Sequence, residues 1–245
     1  MNGGASEPFG LALLDYFQGN ASAELVIHRD DGVDAPVPAS HFFRDPDEFS
    51  ALDHAAIAVC RGRVLDVGAG AGPHSLVLQS QGFSVTAIDV SRHAVEIMAE
   101  RGVEDVRLAD VFGFDGGPFD TLLMMGHGIG VVETIAGLDR FLAHTRGLVA
   151  EGGQIVVESG DVRKTDDPAH LAYHEANRKA GRYIGEIRLR LEHQGTLGPL
   201  CGWLHVDAET LAEHAGRAGW RFELVAEEPS GDYLGKLTKQ GARSG

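Results

Sequence analysis

The passage Val64-Leu65-Asp66-Val67 running into Gly68-Ala69-Gly70-Ala71-Gly72 and then Pro73 constrains this chain more than any other. An apolar run that ends in spaced glycines and opens a helix makes a strand–turn–helix unit. Its loop lies at the carboxyl edge of a parallel sheet, where such folds bind ligands. Glycine there lets backbone approach a ligand with no Cβ between them. From about Gly62 onward short apolar runs alternate with helical patterns, which argues for an α/β fold with a Rossmann-like, doubly wound sheet.

Five parallel strands are expected, at residues 63–67, 84–89, 105–109, 119–125 and 154–159, with helices at 73–81 and 134–149. Ser91 caps a further helix that Gly102 ends. The period then changes. Ile187, Leu189 and Leu191 alternate with Arg188, Arg190 and Glu192, a strand with one wet face. A turn over 195–202 and a return strand over 203–206 complete an inserted β-hairpin. Asp207 caps a last helix, and residues 221–227 and 233–238 flank Pro229-Ser230-Gly231-Asp232 as a C-terminal antiparallel pair.

Ahead of the sheet the chain reads as an N-terminal helical cap, with a helix over 9–17, a strand over 25–29 and a turn at Asp30-Asp31-Gly32. Asp45-Pro46-Asp47-Glu48 has the form of a capping box, so one helix is expected from there to about Val59. The division is therefore a cap (1–60), a ligand-binding core (61–160), a substrate-side insertion (161–206) and the end of the core (207–245).

Charge narrows the function. Thirty-six acids against 21 bases give −15, a surface that repels phosphate backbones, so a small molecule is expected and nucleic acid is not. No run has the roughly 18 apolar residues of a membrane span. The start, Met1 to Pro8, has no basic, apolar leader pattern. Cys60 and Cys201 alone make neither a disulfide framework nor a zinc site, so reduced, buried thiols in a cytoplasmic monomer or homodimer are expected.

Three details decide which nucleotide the loop takes. In the dinucleotide fingerprint G-x-G-x-x-G/A, Gly68 and Gly70 fit, but Pro73 holds the third place. Asp66 ends the strand, where a carboxylate accepts from a ligand ammonium or orients the glycine amides but is unhelpful beside a pyrophosphate. Asp89 ends the second strand 21 positions after Gly68, where an acid takes two hydrogen bonds from a ribose diol. An NAD-dependent oxidoreductase and a non-catalytic partner that keeps the pocket are the rival readings.

Residues 64–72 closely resemble motif I of the class I S-adenosylmethionine-dependent methyltransferases, most like bacterial enzymes acting on small molecules. Phe119-Asp120-Thr121-Leu122-Leu123-Met124-Met125 resembles motif IV, and Gly152-Gly153-Gln154-Ile155-Val156-Val157 the turn and strand that follow it. The resemblance implies S-adenosyl-L-methionine as methyl donor and S-adenosyl-L-homocysteine as product. It implies that Gly68, Ala69 and Gly70 hold the methionyl part, with Asp66 toward its amino group. Asp89 would bind the ribose, with Val90 beside it in contact with the cofactor, Asp110 and Val111 the adenine edge, and Met125 and Gly126 would flank the sulfonium. Motif IV here has no Asp-Pro-Pro-Tyr passage, which lowers the expectation of nucleobase amino groups as acceptors.

Positioning supplies much of the rate of a methyl transfer, so a base is optional. His127, between Gly126 and Gly128 at the end of the fourth strand, is the candidate base; the other reading is a polar residue bonding the loop backbone. His74 is expected to face the cofactor or solvent. Tyr16 and Phe17 close over the cofactor or pack the cap, and His41-Phe42-Phe43-Arg44 is a lid or an anchor. Glu158 and Asp161 contact substrate or solvent. His170 and His174 have the i,i+4 spacing of a metal pair but no further ligand motif, so a polar helix face is the expectation.

Overall fold

The computed structural model describes residues 3–241. Met1, Asn2 and residues 242–245, which the expected leader-free start and the first and last segments include, lie outside the described residues.

The core is a seven-stranded sheet. Its five parallel strands are β3 (Arg63–Val67), β4 (Ser84–Asp89), β5 (Val106–Leu108), β6 (Phe119–Met124) and β7 (Val149–Gly160). The C-terminal pair is β11 (Trp220–Glu227) and β12 (Asp232–Lys239), and the spatial order is β11-β12-β7-β6-β3-β4-β5. β12 lies antiparallel to β7 and β11 antiparallel to β12, so β11 points the same way as the five and β12 alone opposes them. Leu65, Leu122, Met124, Ile155 and Val157 are fully buried, as parallel strands covered on both faces require.

Helices α3 (Pro73–Ser80), α4 (Arg92–Arg101) and α5 (Ile135–Leu148) supply the crossovers, and α7 (Ala208–Arg217) precedes the final pair. Ser91, Thr134 and Asp207 each accept a backbone N–H in the first turn of the helix they cap. Three expected spans change, one of them the return strand expected at 203–206, which runs Cys201–Leu204. Asp45 and Glu48 close only a 3₁₀ turn, Pro46–Glu48, and Phe49 is extended. A second box restarts the chain as α2 (Ala51–Val59): Ser50 Oγ accepts from Asp53 N at 3.1 Å, and Asp53 Oδ2 from Ser50 N at 2.8 Å. The strand expected at 154–159 begins at Val149.

The cap and the insertion share a sheet. β1 (Glu24–Arg29) pairs with β2 (Asp34–Pro38) on one side and with β8 (Glu186–His193) on the other; β8 also pairs with β9 (Thr196–Leu197) and β10 (Cys201–Leu204). Period-2 alternation turns Leu25, Ile27, Leu189, Leu191 and Trp203 toward the core and leaves His28, Arg188 and Arg190 on the other face. With α1 (Glu7–Phe17) and α6 (Pro168–Lys179), this second sheet covers the carboxyl edge of the first. Cys60 is buried and Cys201 only half-buried; both are unpaired thiols. No helix of the described residues is long and apolar enough to cross a membrane.

Gly72 has φ +78°, and a Cβ there would sit 3.0 Å from Met98 and 3.1 Å from Val103. Gly72→Ala should therefore cost at least about 1–2 kcal/mol from the left-handed backbone alone. A chain of this size loses about 2–4 °C of Tm per kcal/mol. Thermal melting checks this, and an unchanged Tm would show that an L-residue adopts φ +78° at position 72 without strain.

Candidate active site

Between the two sheets lies a cavity of about 980 Å³. One end is floored by the carboxyl ends of β3 and β4, the middle by those of β6 and β7, and the far end reaches α6.

At the glycine loop four backbone donors are used within the fold. Gly68 N and Ala69 N both point to Ile88 O (2.9 and 3.2 Å), Gly70 N to Asp89 Oδ2 (3.0 Å) and Gly72 N to Ala69 O (2.8 Å). Pro73 at the first helical position has no N–H to give. The amides of Gly68, Ala69 and Gly70 are thus turned to Ile88 and Asp89 within the fold.

The Asp66 carboxylate is buried, accepts from Ser75 Oγ at 2.7 Å and does not itself line the cavity. Burial raises its pKa. Asp89, not Asp66, orients a glycine amide: besides Gly70 N it accepts from Ser91 N at 2.8 Å. Asp89 does line the cavity, and burial pushes its pKa up to about 6. Each of its oxygens keeps a lone pair for a ligand diol.

Gly68, Ala69, Gly70, Val90, Asp110 and Val111 line the same end. Asp110 Oδ1 accepts from Phe112 N at 2.9 Å, and Val111 O from His144 Nε2 at 2.8 Å. Met125 and Gly126 follow β6 into the cavity, but the Gly126 amide is spent on Glu158 Oε2 (2.8 Å).

The middle of the floor is a four-residue cluster. His127, at φ +56°, places Nε2 3.1 Å from Asp232 Oδ1 and 3.5 Å from Glu158 Oε1. His205 meets its ring edge-on, 5.1 Å between centroids. Burial pushes His127 down, yet the hydrogen bond it donates to Asp232 and the charges of Glu158 and Asp232 outweigh it, and the pKa is raised. Burial raises Glu158 and, with the nearby His127, drops His205 to about 4; the bond to His127 holds Asp232 low. Neither Asp232 nor His205 stood out as a site residue in the sequence. Asp232 arrives because the antiparallel β12 begins at this edge, opposite Gly160. His205 arrives because Ser159 Oγ and Tyr233 OH both bond the neighbouring Val206.

Three further expectations resolve here. His74 lines the cavity yet is largely buried, with Nε2 2.7 Å from Asp53 Oδ1 and its ring 5.0 Å from that of Phe49. Arg44 joins Asp53 from the opposite side at 3.0 Å. Burial works against the Asp53 carboxylate, but His74, Ser50 and Arg44 hold its pKa well below the usual range. Phe42 stands edge-on to Phe9, and Phe43 packs on Tyr16 and Phe17, so the 41–44 segment is anchored to α1 while His41 and Phe42 line the cavity. Among the described residues no group of His, Cys, Asp and Glu is arranged to hold a metal ion, and the His170–His174 face of α6 turns inward rather than to solvent.

The chain matches the model of a methyltransferase domain over residues 43–224. It resembles an S-adenosylmethionine-dependent methyltransferase from Bacteroides fragilis, solved in complex with S-adenosyl-L-homocysteine, at 30% identity, with 97% of each chain covered and a TM-score of 0.84. A ubiquinone biosynthesis O-methyltransferase from a Caulobacter strain is 35% identical over 103 residues, 39% of each chain, so the match spans about two-fifths of that relative. The CcbJ methyltransferase of Streptomyces caelestis shares the fold at 14% identity, with 80% of this chain and 94% of that one covered and a TM-score of 0.58. The chain belongs to the class I S-adenosylmethionine-dependent methyltransferases.

Proposed function

We propose that the protein methylates a hydroxyl group of a small molecule, with His127 as the base. One observation carries this: His127 Nε2 is held by Asp232, and Nδ1 has no hydrogen-bond partner among the described residues. A proton on Nε2 facing a carboxylate leaves a lone pair on Nδ1, the tautomer a general base needs.

S-Adenosylmethionine, when bound, supplies an electrophilic methyl group and leaves as the neutral thioether, so the proton of the acceptor is the charge the protein must move. His127 Nδ1 takes that proton as the acceptor oxygen forms its bond to the methyl carbon. Asp232 and Glu158 then stabilise the imidazolium, and solvent removes the proton afterwards. The carbonyls of Gly68, Ala69 and Gly70 would take the donor's ammonium, Asp89 and Val90 its ribose, and Asp110 with the Val111 amide its adenine. Met125 and Gly126 would border the sulfonium, and Asp66 would brace the loop through Ser75. What supports this set is the cavity they share and, for Asp66, its bond beneath the loop.

Residues 1–60 and 161–206 would together form the acceptor's cover over a core made of 61–160 and 207–245, which their common sheet supports. The −15 charge supports a small acceptor over nucleic acid, and the two unpaired thiols a cytoplasmic setting, as monomer or homodimer.

The raised pKa gives the test. The rate should climb with pH through a midpoint above 6.5, because His127 acts only when neutral. Asp232→Asn should move that midpoint down, since the pair that favours the imidazolium is lost. A limb that does not move, or no limb at all, sinks the base.

A further inference from the structure

Beyond the reacting centre, the cavity ends against α6 and the last residue of β1. His174 is 5% exposed, lines the cavity, and makes no hydrogen bond among the described residues. Its ring nitrogens are not sealed off but open to the cavity, where a ligand can take the N–H. His170, one turn earlier, also lines the cavity, its Nδ1 3.3 Å from Thr165 Oγ1. Arg29 reaches the same end with its guanidinium 4.5 Å above the Tyr173 ring. Asp31 takes its Nε and Nη2 at 2.7 and 2.8 Å, leaving Nη1 without a protein partner among the described residues.

Between this end and His127 the roof is apolar. Trp203 packs over Gly130, one turn from His127. Trp203 pairs with Ile187, and Leu189 with Arg29, so two strand spacings and two residues of rise separate Trp203 from Arg29. That is about 12 Å. An occupant of this space has a polar group at each end and an apolar body.

We infer that Arg29, His170 and His174 form a second subsite that holds a carboxylate of the acceptor, whose hydroxyl then lies across the apolar roof at His127. The inference rests on the hydroxyl-methylation reading for the second half of that statement only. A monoanion suits the site because Asp31 already offsets one face of Arg29, and Asp30 beside it is held by Tyr173 OH and Arg188. The carboxylates at the other end, Glu158 and Asp232, are both turned to His127 and do not oppose an anion here.

The experiment is calorimetry on the full chain saturated with S-adenosylhomocysteine, titrated with para-hydroxycinnamic acid, para-hydroxyphenylpropionic acid and the methyl ester of each. The acids are expected to bind about tenfold tighter than their esters, and both Arg29→Gln and His174→Leu to remove most of that preference. Acids and esters binding alike, neither binding, or a preference that survives both substitutions overturns the subsite. Thermal melting identifies a variant that has lost its fold, and the other variant then decides. Because the readout is binding, His127→Asn should keep the acid preference while losing turnover, which separates this subsite from the base.

Discussion

His127→Asn is expected to lower kcat by about 10²–10⁴-fold, the usual contribution of a positioned base, while leaving the affinity for S-adenosylhomocysteine unchanged. Asparagine is the informative replacement. His127 sits at φ +56°, a conformation that asparagine adopts more readily than alanine, so the loop keeps its shape. Asparagine also lacks a titrating nitrogen, so whatever pH limb the wild type shows above 6.5 should vanish with it. The residual rate would be that of positioning alone. Single-turnover kinetics with the donor prebound separates this loss from weaker donor binding. A normal turnover number would reduce His127 to a cation that neutralises Glu158 and Asp232.

The part of the site that was legible in the sequence is the part that one local segment builds. Gly68, Gly70 and Asp89 stand at strand ends, and strand ends show in apolar runs. His127 follows the same logic at the end of β6. The relations between distant segments were not legible. Asp232 reads as a turn residue until β12 is known to run against β7, which brings it to Gly160 and so to His127. His205 has no local signal, since its place depends on hydrogen bonds from Ser159 and Tyr233 to its neighbour. The cap and the insertion read as separate because strand pairing between β1 and β8 spans more than 150 residues, and periodicity says nothing about partners. The Asp66 carboxylate is a related case. Alternation fixes that a side chain leaves the strand, but Ser75 on α3 decides which way the carboxylate turns.

Asp89→Ala carries the other large effect, a loss of donor affinity of about 1–3 kcal/mol from charge-assisted bonds to the ribose. Asp89→Asn sharpens the result, because it keeps the shape and a carbonyl acceptor for one amide while removing the charge and the second acceptor. The pKa near 6 adds a signature that a merely structural carboxylate would lack. Diol donors favour the ionised form, so wild-type affinity should fall as pH drops below about 6, and in Asp89→Asn that dependence should disappear. Stability of the ligand-free protein runs the other way. The folded pKa lies above the unfolded value of 3.8, so the folded state binds the extra proton between about pH 4 and 6, and Asp89 makes folding less favourable as pH rises through that window. Bound donor should cancel part of this penalty, so the Tm gain on adding S-adenosylmethionine should be larger at pH 7 than at pH 5. Equal gains at the two values, with unchanged affinity in Asp89→Asn, would take Asp89 out of the donor site.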